Sequence, residues 1–154
     1  MPAFQPIGLI HSPFVQRDRT PVQHDRSQAL GQVELLPEYE RGLQDLEGFS
    51  HVILLYFFHH ADPGYDLSVI PLLGQEPKGL FAMRHPRRPN PIGLSVVRLV
   101  RREGRVLHVQ GIDVLEGTPL LDIRPYVPLF DAFPEASLGW LAGRHEEVLD
   151  FAQG

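Results

Sequence analysis

The stretch Phe49-Ser50-His51-Val52-Ile53-Leu54-Leu55-Tyr56-Phe57-Phe58 decides the fold. It is rich in β-branched and aromatic residues, has no polar face and contains the longest apolar run of the chain, Val52 to Phe58. Such a run reads as a strand covered on both sides. Working outward, Phe4 to His11 reads as a first strand ended by Ser12-Pro13, and Leu30 to Leu36 as another, followed by a helical turn from Pro37 to Arg41. Ile92 to Arg102 and Arg105 to Asp113 alternate around Glu103-Gly104, the pattern of a hairpin. Leu80 to Arg84 and Leu120 to Arg124 read as short strands, and Leu141, His145, Val148, Leu149 and Ala152 mark one face of a C-terminal helix. Short strands with Pro and Gly turns between them predict a mainly β fold, a small single-sheet barrel with short helices and one terminal helix.

The composition sets the outer limits. A chain of 154 residues, 43% hydrophobic and 21% charged, is expected to form one soluble domain, residues 1–154. No segment approaches the roughly 20 apolar residues of a membrane span. No signal-peptide pattern opens the chain, so a cytoplasmic location is expected. There is no cysteine, which excludes disulfides, thiol catalysis and Cys-based metal sites. Of the eight histidines, His59 and His60 are adjacent at the end of a strand, where their side chains would diverge, so no metal is expected.

Charge is unevenly spread. The net charge is −5, yet seven of the fourteen basic residues lie between Arg84 and Arg105. Three prolines stiffen Arg84-His85-Pro86-Arg87-Arg88-Pro89-Asn90-Pro91 and so lower the entropy cost of aiming Arg87, Arg88 and Asn90. The Asn90 amide oxygen, or the carbonyl before Pro91, could accept hydrogen bonds from an exocyclic amine and orient its lone pair for attack. A second dense segment, Gly111 to Tyr126, contains the turn Glu116-Gly117-Thr118-Pro119 with Asp113, Glu116 and Asp122 around it. These carboxylates could hold ribose hydroxyls or an ammonium group, or serve as ordinary turn caps.

Pro6 to Phe14, Leu46-Glu47-Gly48-Phe49-Ser50-His51, Arg84 to Gly93 and Gly117 to Tyr126 occur in an order that resembles the TrmO/TsaA-like family, from about Phe4 to Asp131. The resemblance implies a β-barrel S-adenosyl-L-methionine-dependent methyltransferase. Its implied substrate is threonylcarbamoyl-adenosine at position 37 of tRNA, methylated on N6. It also implies a homodimer with the cofactor near the subunit interface. Carried over, the cofactor would meet Gln23, His24, Asp25, His59, His60, Arg84, Leu94 and the run Asp113, Val114, Leu115, Glu116. Asn90 and Tyr126 would be catalytic, and Arg87, Arg88 and Arg124 would bind substrate.

Two departures stand out: the family's Arg-Ser-Pro is Arg84-His85-Pro86 here, and its Gln-Pro-Gly is Gln23-His24-Asp25. The resembling bacterial enzymes often carry a further C-terminal domain, whereas this chain reaches Gly154 after one helix. The Arg84 to Arg105 face is therefore the expected tRNA contact. A small-molecule or other RNA acceptor, or a non-catalytic cofactor-binding module, are the alternatives.

Overall fold

The structure is a computed structural model that describes residues 3–15 and 28–144. The described residues pack as two compact units, one of residues 3–15, 28–59 and 92–126 and the other of residues 60–91 and 127–144.

The first unit is a closed antiparallel barrel. Its strands are β1 (Gly8–His11), β2 (Leu30–Leu35), β3 (His51–Phe57), β6 (Ile92–Glu103), β7 (Val106–Gln110) and β8 (Thr118–Pro125). Around the barrel the order is β1-β2-β7-β6-β3-β8, and β8 closes back on β1. A closed barrel leaves no strand edge unpaired. Register shifts at Leu55/Tyr56 and Leu99/Arg101 add the local bends that closure requires. The β6–β7 hairpin falls where expected, with Gly104 at φ 58° in its turn.

Strand β3 corrects the expectation of burial on both faces. Val52, Leu54 and Tyr56 point into the core, whereas Ile53 and Leu55 are only half-buried on the outer wall and Phe57 is exposed. The barrel has one filled interior, so alternation returns even in an all-apolar strand. The core that Val52 and Leu54 join includes Ile10, Val33, Leu107 and Leu120, each fully shielded. Burial of each such side chain stabilises the fold by about 1.5–3 kcal/mol.

Other boundaries move for local reasons. The first strand begins at Gly8, not Phe4, whose side chain is exposed. The strand after the hairpin ends at Gln110, and Thr118–Pro125 forms one strand instead of starting at Leu120. The turn from Pro37 continues as a 3₁₀ helix to Leu43.

In the second unit, β4 (Ser68–Val69) pairs with β5 (Lys78–Gly79). Leu80–Ala82 is a 3₁₀ turn where a strand was expected, with Leu80 and Met83 buried. The Trp140 indole N–H donates to the Ala82 carbonyl at 2.9 Å, and the Lys78 ammonium lies 5.5 Å from the Trp140 ring centre. Pro128–Asp131 forms a single helical turn, closed by the Asp131 carboxylate accepting the Val127 N–H at 2.7 Å. The expected C-terminal helix lies largely outside the described residues. Leu141 itself ends the 3₁₀ turn Gly139–Leu141.

Gly93 on β6 faces Tyr56 on β3, and a Cβ there would overlap the Tyr56 ring and stand 2.7 Å from the Phe58 ring. Tyr56 and Phe58 are themselves locked edge to face at 5.5 Å. Gly93→Ala is therefore expected to destabilise the fold by about 2 kcal/mol through overpacking. The urea midpoint should fall with an unchanged slope.

Candidate functional site

The register of the barrel sorts its connections between two rims. Ile10 pairs with Thr118, Leu30 with Gln110, and Phe57 with Ile92. The ends of β1, β3 and β7 and the starts of β2, β6 and β8 therefore share one rim. His59, Leu94 and Asp113 to Glu116 all belong to this rim. The chain also leaves β1 and enters β2 here, on either side of Gln23, His24 and Asp25, which lie outside the described residues. His59 and His60 occupy a turn beyond β3, not the strand itself. His59 is partly buried and His60 exposed.

Two hydrogen-bond networks shape the segment before β8. In the first, Ser95 Oγ donates to Asp113 Oδ1 at 2.8 Å. With its proton so used, Ser95 accepts from the Tyr56 hydroxyl at 2.8 Å. Ser95 and Tyr56 are buried at 8% and 4% exposure. In the second, Glu116 Oε2 meets His11 Nδ1 at 2.9 Å, and Glu116 Oε1 accepts the Ser12 N–H at 2.9 Å. Ser12 Oγ donates to the Val114 carbonyl at 2.6 Å. The other His11 nitrogen, Nε2, lies 3.1 Å from Glu34 Oε1 on β2.

These contacts divide the acidic segment by role. The Glu116 carboxylate is engaged by β1, and the Val114 side chain sits in the core, so Val114 presents only its backbone to the rim. Asp113 is held by Ser95 on β6. Asp122 belongs elsewhere: it accepts from its neighbour's Ile123 N–H and pairs with Arg124 at 3.3 Å. The expected turn is present, with Thr118 N–H and Oγ1 both donating to the Leu115 carbonyl and Gly117 at φ 80°. A positive φ at that position is the requirement of a type II turn.

In the second unit the proline-braced segment is fastened to its own backbone. One Arg88 nitrogen donates to the carbonyls of Met83, His85 and Leu80 at 3.0, 3.2 and 3.4 Å. The same guanidinium lies 5.7 Å from the Phe81 ring centre. Arg87 reaches the Gly64 carbonyl at 3.4 Å and the Pro63 carbonyl at 3.5 Å. His85 Nδ1 accepts the Arg87 N–H at 3.1 Å, a local turn contact that a serine hydroxyl also makes. Arg84 and Asn90 are exposed.

Two of the residues expected at the site stand on the opposite rim of the barrel. Tyr126 follows Pro125, which pairs with Val52, while the site rim is marked by Phe57. Those positions are five residue steps apart, about 17 Å along β3. Tyr126 packs edge-on against His51, and Arg124 pairs with Asp122. The arginines of the β6–β7 hairpin are also paired, Arg101 with Glu103, Arg102 with Glu47 at 3.2 Å and Arg105 with Glu34 at 3.5 Å.

Reading the residues alone assigned no role to Tyr56, Ser95, His11 or Ser12. Ser95 carries a visible signal, since it is a polar residue at an inward position of the alternating strand β6. For His11 and Ser12, the partners Glu116 and Val114 lie more than a hundred residues away, and no local pattern announces them.

Residues 9–132 match the tRNA-methyltransferase O N-terminal domain family. The chain is 50% identical over 142 residues to a protein of Pyrococcus abyssi named "probable S-adenosyl-L-methionine-binding protein", covering 92% of this chain and 77% of that one. It is 35% identical over 147 residues to the tRNA (adenine(37)-N6)-methyltransferase of Escherichia coli, covering 89% of this chain and 63% of the enzyme. The crystal structure of TrmO from Pseudomonas aeruginosa aligns with a TM-score of 0.75 at 40% identity, over 91% of this chain and 62% of that one. The chain thus spans less than two thirds of these last two proteins.

Tyr56→Phe removes the hydroxyl that donates to Ser95 while keeping the ring over Gly93. It is expected to cost about 1 kcal/mol, the net worth of one buried neutral hydrogen bond. Urea unfolding of the two proteins checks this.

Proposed function

The chain belongs to the tRNA-methyltransferase O N-terminal domain family, and on that premise we propose that it is an S-adenosyl-L-methionine-dependent tRNA methyltransferase. The acceptor in this reading is N6 of threonylcarbamoyl-adenosine at position 37. The observation that carries it is the common rim on which His59, Leu94 and Asp113 to Glu116 lie.

The donor set at that rim suits the cofactor. Asp113, anchored by Ser95, offers a carboxylate to ribose hydroxyls or to the ammonium group. Leu94, 51% exposed, offers an apolar surface to a flat base. Val114 and Leu115 contribute backbone, and Glu116 acts through the turn it holds. Gln23, His24, Asp25, His59, His60 and Arg84 remain proposed contacts. When bound, the cofactor, held by Asp113, Leu94 and the backbone of Val114 and Leu115, would supply the methyl group for the acceptor amine. Asn90 accepts a hydrogen bond from the amine and aims its lone pair. Arg87 takes phosphate or the threonyl carboxylate, whereas Arg88, bound to three carbonyls, keeps the segment in shape.

The pairing of the hairpin arginines with glutamates favours a second reading, in which the acceptor is a small molecule or the module binds cofactor without transferring its methyl group. Labelled methyl transfer to total tRNA, followed by nucleoside mass spectrometry, separates the two. The tRNA reading expects one methylated adenosine and a rate that falls steeply with salt. Asn90→Ala is expected to keep cofactor affinity near wild type and to lower turnover about tenfold to a hundredfold.

A homodimer completes the reading. Phe57 pairs with Ile92, Leu55 with Leu94 and Ile53 with Val96 on the outer wall, where Ile92 and Val96 are 40% and 43% exposed. A contiguous apolar wall of this kind is a natural self-association surface. Val96→Glu is expected to yield monomers by light scattering, with an unchanged circular dichroism spectrum.

A further inference from the structure

His11 is the last residue of β1, and both of its ring nitrogens face carboxylate oxygens, Glu116 at 2.9 Å and Glu34 at 3.1 Å. A carboxylate only accepts hydrogen bonds, and a neutral imidazole has a single N–H to give. Both contacts are satisfied together only when the ring carries two protons. The imidazolium then ties three elements: β1 through itself, β2 through Glu34, and the segment before β8 through Glu116.

The backbone around His11 reinforces that tie. Ser12 donates from its N–H to Glu116 and from its hydroxyl to the Val114 carbonyl, while Ser12 Oγ accepts the Phe14 N–H at 3.1 Å. Glu116 N–H donates to the Phe14 carbonyl at 2.7 Å, and Gly117 N–H to the Ile10 carbonyl at 2.9 Å. Residues 10–14 are therefore laced to residues 114–117, with the His11 ring as the titratable member.

We propose that His11 is a positioning residue for the cofactor end of the barrel, its doubly protonated ring holding the 113–116 segment in its binding shape and releasing it when the ring loses a proton. This rests on the reading of that segment as the cofactor contact. The charged surroundings agree with it. Glu116 first, then Glu34, hold the His11 pKa above its ordinary value, with desolvation opposing them. Glu34 is held low chiefly by His11, with Arg105 also attracting it. For Glu116, desolvation pulls upward but is outweighed by His11 and the Ser12 N–H, so its pKa is lowered. On the β7 side, His11 pairs across with Gln32 and Gln32 with His108, whose own carboxylate partner is Glu103. β8 brings no charge beside His11, since Ile10 meets Thr118 and Leu9 meets Pro119.

The sign follows from the raised pKa. The clamp is complete below the ordinary histidine value of about 6.5 and is lost as pH rises through the higher folded-state value. The experiment is calorimetric titration of the full chain with S-adenosyl-L-methionine from about pH 5.5 to about pH 8.5, in wild type, His11→Gln and Glu34→Gln. The cofactor's amino group also titrates near this range, so the difference between wild type and His11→Gln is the quantity read. At low pH wild type should bind about fivefold tighter, the effect of one partly exposed charge-assisted hydrogen bond. The gap should close over the pH range in which the His11 ring and the amides of residues 113–117 titrate together by NMR.

Glu34→Gln should fold like wild type and move that closure to lower pH. A gap that stays constant with pH, or no gap at all, overturns the proposal while leaving cofactor binding intact. Absence of binding by wild type at every pH would instead remove the preceding reading and this proposal with it.

Discussion

Closure of the barrel through the β1–β8 pair is the constraint on which the rest depends. Gly8, Leu9 and Ile10 pair on one side with Leu35, Glu34 and Val33 and on the other with Leu120, Pro119 and Thr118. That short strand closes the ring and brings positions 10–14 against residues 114–117, while the antiparallel pairing of the other strands sets which of their ends share a rim. The interior is filled mainly by aliphatic side chains, with Tyr56 among them, so most of the chemical variety lies in the connections.

The polar networks at the rim are built for fixity. Ser95, buried between Tyr56 and Asp113, aims a carboxylate from a side chain whose rotamer is set on both sides. A catalyst whose main task is to align two bound reactants gains most from such preorganisation. The same logic explains Arg88. An arginine that donates to three backbone carbonyls keeps its charge, and it holds the shape of the segment that carries Arg84, Arg87 and Asn90.

Much of the barrel was legible from residue patterns, and the reasons are local. The alternation of β6 and β7 about Glu103-Gly104 needs no distant partner to be seen, and neither does the turn at Gly117. The strand expected at Leu80 to Arg84 failed because burial of Leu80 and Met83 is shared by a 3₁₀ turn as readily as by a strand. The all-apolar β3 suggested two covered faces because its outer residues are as hydrophobic as its inner ones. Of the site, the common rim was reached only through family resemblance. The clamp of His11 and Ser12 depends on β1 meeting the segment before β8, a contact that no window of sequence contains. Tyr126 shows the converse limit: its motif is contiguous with the turn at Gly117, yet eight residues of strand carry it to the other rim.

The distribution of charge bears directly on how an acidic chain could hold RNA. Counting arginines along the sequence suggested a positive face from Arg84 to Arg105, but pairing splits that run. Arg101, Arg102 and Arg105 face glutamates on the barrel, so their phosphate attraction is largely neutralised before any ligand arrives. Releasing such a pair to grip a phosphate would exchange one charge-assisted contact for another with little net gain. The proline-braced segment differs, because the partners of Arg87 and Arg88 are carbonyls, which leave the full positive charge in place. On a protein of net charge −5, the proposed tRNA reading therefore places its phosphate contact on that segment and away from the paired hairpin arginines.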